Sequence, residues 1–232
     1  MKTYIIRLKD NKISETHARE CIEQAAKFGI IVEYFDAIHG SEYLNHLDKL
    51  KILPKYKFKK NRIGVYGCFL SHYYLWNKCV EDNIPYTILE HDGYFINPIP
   101  DDVLDNFTDV LKLDNLDPYS KNYNEEIDSA SLNKINYTNY TNPKPKNSFD
   151  KLGVSKHGTG NYLRGAYGYI IKPHAAKKII DWIAINGFVP ADQQIGNSIV
   201  DIQVTIPTVV RLHPAYFRRV NELSLTCNPE LL

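Results

Sequence analysis

Two carboxylates, Glu90 and Asp92, stand at the end of the run Tyr86–Glu90 (YTILE) and in the Glu90-His91-Asp92-Gly93 stretch that follows it. Side chains two apart on a strand share a face, so both can reach one ion. Carboxylate oxygens suit Mg2+ and Mn2+, which bind through one or two such groups together with substrate phosphates. An ion held there would neutralise charge building on a leaving diphosphate. An acidic turn that only solvates the strand end is the competing reading. The second cluster is Gly64-x-x-Gly67-Cys68-x-x-Ser71-His72. Small residues at 64 and 67 let a helix start approach another backbone or a ligand. His72, one turn on, can donate to a phosphate or an acceptor hydroxyl, or can be a satisfied core histidine. Asp192, in Pro190-Ala191-Asp192, is a candidate base near a helix start, where the dipole favours the ionised form; an ordinary cap is the alternative. His213, beyond the last strand, could complete a metal site or lie on the surface before Pro214. His157, in His157-Gly158-Thr159-Gly160, has the same two readings, and its glycines could also hinge a lid.

These residues need a scaffold, and the pattern supplies one. Thr3–Leu8 reads as a central strand. Ser14 is the expected N-cap of a helix carrying Ala18, Ile22, Ala25 and Ala26, with Gly29 after its end. Ile30–Phe35 is the second strand, so the chain opens as a βαβ unit with a parallel sheet. Asp36–Gly40 (DAIHG) then falls beyond the carboxyl end of that strand, where open α/β sheets bind ligands. Ser41–Lys51 is a candidate helix. Gly64–Asn83 carries Phe69, Leu70, Tyr73, Leu75, Trp76 and Val80 on a wide apolar face, which predicts a buried helix. Asp101–Leu111 reads as a helix, with a strand starting at Val110 as the alternative. Pro173 opens a helix to Ile185, Pro190 opens a short one, and Val204–Leu212 is expected to be the last strand. Between Asp114 and Asp150 periodicity stops. Tyr119, Tyr123, Tyr137 and Tyr140 there offer flat faces for sugar rings, or the segment is simply disordered.

Composition removes whole classes of function. The 232 residues carry 28 Lys+Arg and 27 Asp+Glu, a net charge of +1. That balance gives no field to gather nucleic acid, although Lys49–Arg62 is locally basic with Tyr56 and Phe58 interleaved. No apolar run approaches the ~20 residues of a membrane span. The start carries no signal-peptide core, which makes a cytoplasmic location the expectation, with peripheral membrane contact allowed. Cys21, Cys68, Cys79 and Cys227 form no C-x-x-C pair and read as reduced thiols. The Asn-x-Thr triplets at Asn106, Asn136 and Asn139 read as chance in an Asn-rich chain. One domain over 1–232 is expected, with a variable insertion at about 114–160.

Several blocks, in order, resemble glycosyltransferase family 25, the lipooligosaccharide glycosyltransferases related to collagen galactosyltransferase domains. They are Tyr4-Ile5-Ile6-Arg7-Leu8, Phe35-Asp36-Ala37-Ile38-His39-Gly40, the Gly64 to Trp76 helix, Ile88-Leu89-Glu90-His91-Asp92, Ala166 to Ile171 with Ala175-Ala176-Lys177, and Pro190-Ala191-Asp192. The resemblance implies an α/β fold of GT-A type, with a mostly parallel central sheet flanked by helices. It implies transfer of a hexose, galactose or glucose, from a nucleotide sugar such as a UDP-hexose. The acceptor would be a hydroxyl of a glycan, lipid-linked or protein acceptor, and transfer would go with inversion and Mn2+ or Mg2+. Arg7, Ala37 and Gly40 would line the nucleotide side. Ser71 and His72 would support the pocket, Glu90 and Asp92 would face metal and diphosphate, and Asp192 would be the base. His91 stands where the family has aspartate, and Arg7 where it has asparagine. A catalytically impaired protein that binds a nucleotide sugar or glycan is therefore the alternative.

Overall fold

The computed structural model describes residues 1–55, 63–114, 136–139, 154–155, 158–163 and 165–216. The chain opens with β1 (Lys2–Arg7), α1 (Lys12–Lys27) and β2 (Glu33–Asp36), and β1 and β2 pair in parallel as the βαβ pattern requires. The cap differs from expectation. Asn11 caps α1 by accepting from the Ser14 amide at 3.0 Å, while the Ser14 hydroxyl accepts from the Leu8 amide at 2.8 Å. Ser14 thus sits inside the first turn and ties the end of β1 to the helix. The second strand begins three residues later than Ile30, because Gly29 has a left-handed φ of 71° and the chain needs Ile30–Val32 to regain the sheet.

A 3-10 turn at Gly40–Glu42 leads into α2 (Tyr43–Leu50). Then come α3 (Ile63–Asp82), β3 (Tyr86–Glu90), β4 (Gly93–Phe95) and β5 (Val110–Lys112). The helix expected over Asp101–Leu111 reduces to a 3-10 turn at Val103–Asp105, and the strand alternative at Val110 is the one found. Short strands β6 (Asn136–Asn139), β7 (Val154–Ser155) and β8 (Gly160–Asn161) precede β9 (Gly168–Ile171). Helix α4 (Pro173–Asn186) has proline in its first turn, and α5 (Ala191–Gln194) follows Pro190. The last expected strand is two, β10 (Ile202–Ile206) and β11 (Val210–Leu212), because Pro207 between them cannot donate to a ladder.

The main sheet runs β2-β1-β3-β9-β5-β10-β6. Strands β2, β1, β3, β5 and β10 share one direction, and β9 and β6 oppose it. The expected α/β architecture, a central sheet flanked by helices, is the one observed; most of its strands share a direction, and the opposed β9 and β6 make the sheet mixed. Alternate residues of β1 serve opposite layers: Tyr4 and Ile6 pack with Phe69, Trp76, Ile179 and Phe188 on the α3 and α4 side. Ile5 packs with Ala18, Cys21 and Ala25 of α1, and with Phe95 and Leu212 of the β4–β11 ribbon. Each such burial stabilises by about 1.5–3 kcal/mol for a large side chain. No helix among the described residues is long and apolar enough to cross a membrane.

Candidate functional site

The parallel strands β1 and β3 end on the same edge of the sheet, and the start of α3 is drawn tightly over that edge by its glycines. A Cβ on Gly67 would lie 2.4 Å from the Ile38 carbonyl oxygen, and one on Gly40 would lie 2.7 Å from the Ile63 carbonyl oxygen. Only hydrogen fits at either place. Ser71, one turn beyond Gly67 on α3, stitches the same contact: its hydroxyl accepts from the Ile38 amide at 2.9 Å and donates to the Gly67 carbonyl at 2.7 Å. The Ala37 amide donates to the Arg7 carbonyl at 2.7 Å. A cleft results, lined by Ile6, Leu8, Ala37, Ile38, Gly40, Gly64, Gly67, Cys68, Ser71, His72, Glu90 and His91.

Glu90 is held from the α3 side. His72 Nε2 lies 3.1 Å from Glu90 Oε1, and Cys68 Sγ donates to the same oxygen at 3.7 Å. Behind His72, its Nδ1 lies 2.8 Å from the Tyr169 hydroxyl, which also accepts from Trp76 Nε1 at 2.9 Å. The indole can only donate, so the Tyr169 oxygen accepts from Trp76, and an N–H on Nε2 is what lets His72 donate to the Glu90 carboxylate. Burial raises the Glu90 carboxyl, but the hydrogen bond and electrostatic pull of His72, with the smaller help of the Cys68 thiol, outweigh it and leave the group below its ordinary value. Burial pushes the Cys68 thiol well up, and the charges of Glu90, Asp192 and Asp92 add to the rise.

Asp92 differs. Strand β3 stops at Glu90, so Asp92 lies in the turn, where the alternation of side chains no longer governs its direction. Its Oδ1 is buried without a hydrogen-bond partner. Burial, and then the charge of Glu90, push its carboxyl well above the ordinary aspartate value. A buried carboxyl raised by its neighbour's charge, with one orphaned oxygen, fits a divalent cation, which would relieve it.

His91 brings no charge. Its Nε2 is bonded to the Tyr216 hydroxyl at 2.9 Å, and burial moves its pKa down to about 4 against the opposing pull of Glu90. His213 lies with α1: Nε2 pairs with Glu20 at 2.7 Å, and the ring stacks on His17 at 4.2 Å. Its link to the acidic turn is by backbone, the His213 amide donating to the Asp92 carbonyl at 2.6 Å. Arg7 pairs with Asp36 at 3.0 Å and lies over the Tyr34 ring at 4.0 Å, outside the lining of the cleft. Asp192 opens α5, with Oδ1 accepting from the Gln193 amide at 2.9 Å, and is near enough to Cys68 for its charge to raise the thiol.

The structure thus gathers Ala37, Gly40, Ser71, His72 and Glu90 on one cleft, with Asp92 and Asp192 near it and Arg7 and His213 outside its lining. The roles that Tyr169, Trp76 and Cys68 play around His72 and Glu90 were not anticipated. The spacing of Cys68 and His72 is the signal that could have shown one of them, since residues four apart share a helix face. Tyr137 lies on β6, packed against the core on the α1 side. Tyr56, Phe58, Tyr119, Tyr123, Tyr140, His157 and Cys227 lie outside the described residues.

Comparison with known proteins agrees with the resemblance. The sequence model of the family described as Glycosyltransferase family 25 (LPS biosynthesis protein) matches residues 1–195. The lipooligosaccharide biosynthesis protein lic2B of Haemophilus influenzae is 26% identical over 176 residues, 76% of this chain and 61% of that protein. The lipooligosaccharide biosynthesis protein lex-1 of Haemophilus influenzae is 31% identical over 179 residues, 74% of this chain and 52% of that protein. The chain thus spans about half to three-fifths of the length of these curated relatives. Among solved structures, mouse xyloside xylosyltransferase 1 in its apo form matches over 84% of this chain and 80% of that one, at 10% identity and a TM-score of 0.39. A likeness that loose carries no argument. The family match, which runs from the first residue through the glycine-started helix, the acidic strand end and Asp192, does: the chain belongs to glycosyltransferase family 25.

Proposed function

We propose that the chain is a glycosyltransferase of GT-A type that moves a hexose, galactose or glucose, from a UDP-sugar to a hydroxyl of a glycan or glycoconjugate. The acceptor class follows the family description and the printed names of the Haemophilus relatives. The observation that carries the reading is the Glu90 carboxylate, oriented by His72 in a cleft at the carboxyl ends of the parallel strands β1 and β3, with the unpartnered Asp92 Oδ1 buried two residues on.

Glu90 and Asp92 would hold Mn2+ or Mg2+. When bound, such an ion neutralises the charge of the leaving diphosphate. The residues do the rest. The glycine-lined start of α3 brings backbone N–H groups and the positive end of the helix dipole to the cleft, which favours the diphosphate. Ala37 and Gly40 have no side chain to obstruct the nucleotide. The Trp76–Tyr169–His72 chain fixes the Glu90 carboxylate in one orientation. Asp192 would accept the proton of the attacking hydroxyl, the role that transfer with inversion asks of a base. A cytoplasmic location, with contact to a membrane face where the acceptor is lipid-linked, belongs to the same proposal.

His91 favours a second reading, in which the chain binds nucleotide sugar without transferring it. It stands at the family's aspartate and is neutral and turned to Tyr216, so the strand end has one charge fewer. One experiment separates the two. UDP-galactose, UDP-glucose and other nucleotide sugars are screened for hydrolysis and transfer with Mn2+, using Asp92→Ala as control. Turnover that needs Mn2+ and Asp92 supports transfer. Calorimetric binding without turnover supports the second reading. Turnover indifferent to chelator and to Asp92→Ala overturns the metal role.

A further inference from the structure

Glu90 belongs to a second donor set whose chemistry differs from that of a carboxylate pair. Cys68 Sγ, a nitrogen of His72 and an oxygen of Glu90 all lie within 4.8 Å of one another, and all three residues line the cleft. We infer that Cys68, His72 and Glu90 form a site for a thiolate-preferring ion of the Zn2+ type, separate in its chemistry from the Glu90–Asp92 pair.

Geometry carries this. Around a tetrahedral ion with Zn–S of about 2.3 Å and Zn–N and Zn–O of about 2.0–2.2 Å, ligand atoms stand roughly 3.3–3.7 Å apart. His72 Nε2 and Glu90 Oε1 are 3.1 Å apart, and Cys68 Sγ and Glu90 Oε1 are 3.7 Å apart. Small side-chain movements suffice to seat an ion. Cys68 and His72 come from successive turns of one helix, and Glu90 from the strand that helix covers, so rigid elements hold all three. The orienting partner is also present. His72 Nδ1 faces the Tyr169 hydroxyl at 2.8 Å, the arrangement that fixes a ligating imidazole. Three protein ligands leave the fourth position open to the cleft, as in zinc sites that exchange a ligand. Sulfur and imidazole select Zn2+ over Mn2+ and Mg2+.

Loading moves protons in a defined way. Cys68 gives its thiol proton to solvent and binds as thiolate. His72 then carries its proton on Nδ1 rather than Nε2, and the Tyr169 hydroxyl turns its own proton away and accepts from both Nδ1 and the Trp76 indole. Because Glu90 serves both donor sets, an ion on the thiolate site takes Glu90 from the hard-ion pair. Ion binding at Cys68, His72 and Glu90 does not depend on transfer activity, so the ion is read directly.

The chelator-treated 232-residue chain is titrated with Co2+, and Zn2+ is then added in competition. The expected result is a near-ultraviolet thiolate-to-cobalt charge-transfer band that Zn2+ abolishes. Cys68→Ser loses that band, and Asp92→Asn keeps it. Tyr169→Phe weakens Zn2+ by about tenfold, the size of effect expected of an orienting partner. X-ray absorption at the zinc edge of the wild-type protein reads one sulfur per ion, and this holds whether or not a variant folds. A wild-type cobalt spectrum without the thiolate band overturns the inference. So does a zinc edge with no sulfur, or a band that survives Cys68→Ser or disappears with Asp92→Asn.

Discussion

Asp192 and Tyr169 act on the cleft in different ways, and each predicts a separate measurement. Asp192 is the proposed base, and on that proposal Asp192→Asn is expected to lower turnover by about 10²–10⁴-fold with donor and acceptor saturating. Donor affinity in calorimetry should stay as it is, and unchanged turnover removes Asp192 from the base role. Tyr169→Phe removes the group shared by the Trp76 indole and His72 Nδ1. It leaves buried polar atoms without partners, an expected loss of about 1–3 kcal/mol in urea unfolding. Unchanged stability would mean that the two partners find other bonds. At this scale part of the site was legible. Glu90 declares itself by chemical type at a strand end, and His72 by its spacing from the glycines. Tyr169 does not, because a hydroxyl's partner 97 residues away leaves no trace in local pattern. The direction of Asp92 was illegible for a related reason: alternation holds only inside a strand, and β3 ends at Glu90.

Helix α3 was the most readable element, since its broad apolar face and glycine start both appear as spacing. It is also the element least free to change. Alanine at 67 has better helix propensity than glycine by about 1 kcal/mol. Its Cβ, however, would sit 2.4 Å from a backbone oxygen that has no rotamer to move. Overpacking of that kind costs about 1–3 kcal/mol, so Gly67→Ala should lower the thermal midpoint despite the propensity gain. A raised midpoint would mean that the Ile38–Gly40 segment yields. Strand order was the part of the sheet that pattern could not reveal. Strand β9, late in the chain and antiparallel, is inserted between β3 and β5, and nothing in its own residues specifies which neighbours it takes.

For the molecule as a whole, Asp109 is a joint. Its carboxylate accepts from Lys178 at 2.7 Å and His174 at 2.7 Å, both on α4, and from the Asp201 amide at 3.0 Å just before β10. Burial raises this carboxyl, but Lys178, the Asp201 amide and His174 together bring it below its ordinary value of 3.8. A lowered folded pKa contributes stability that is present above the unfolded value and is lost as pH falls through the folded one. Wild-type unfolding free energy should therefore fall as pH drops below about 3.8, where Asp109→Asn should show a shallower fall. At neutral pH that variant should be less stable by about 1–3 kcal/mol. Parallel wild-type and variant curves through the acid window would dismiss the joint.

The insertion of β9 also has a consequence in time. Glu90 can be oriented only after Tyr169 arrives, and 93 residues separate Tyr169 from the Trp76 that completes its bonding. Contacts that distant form slowly, because a long loop must close before they reward it. The βαβ opening and α3 can collapse early on local contacts, leaving the cleft floor without its support. Refolding should then recover far-ultraviolet ellipticity first. Near-ultraviolet signal from the Trp76–Tyr169 pair, and binding of any ligand at the cleft, should follow together in a later phase.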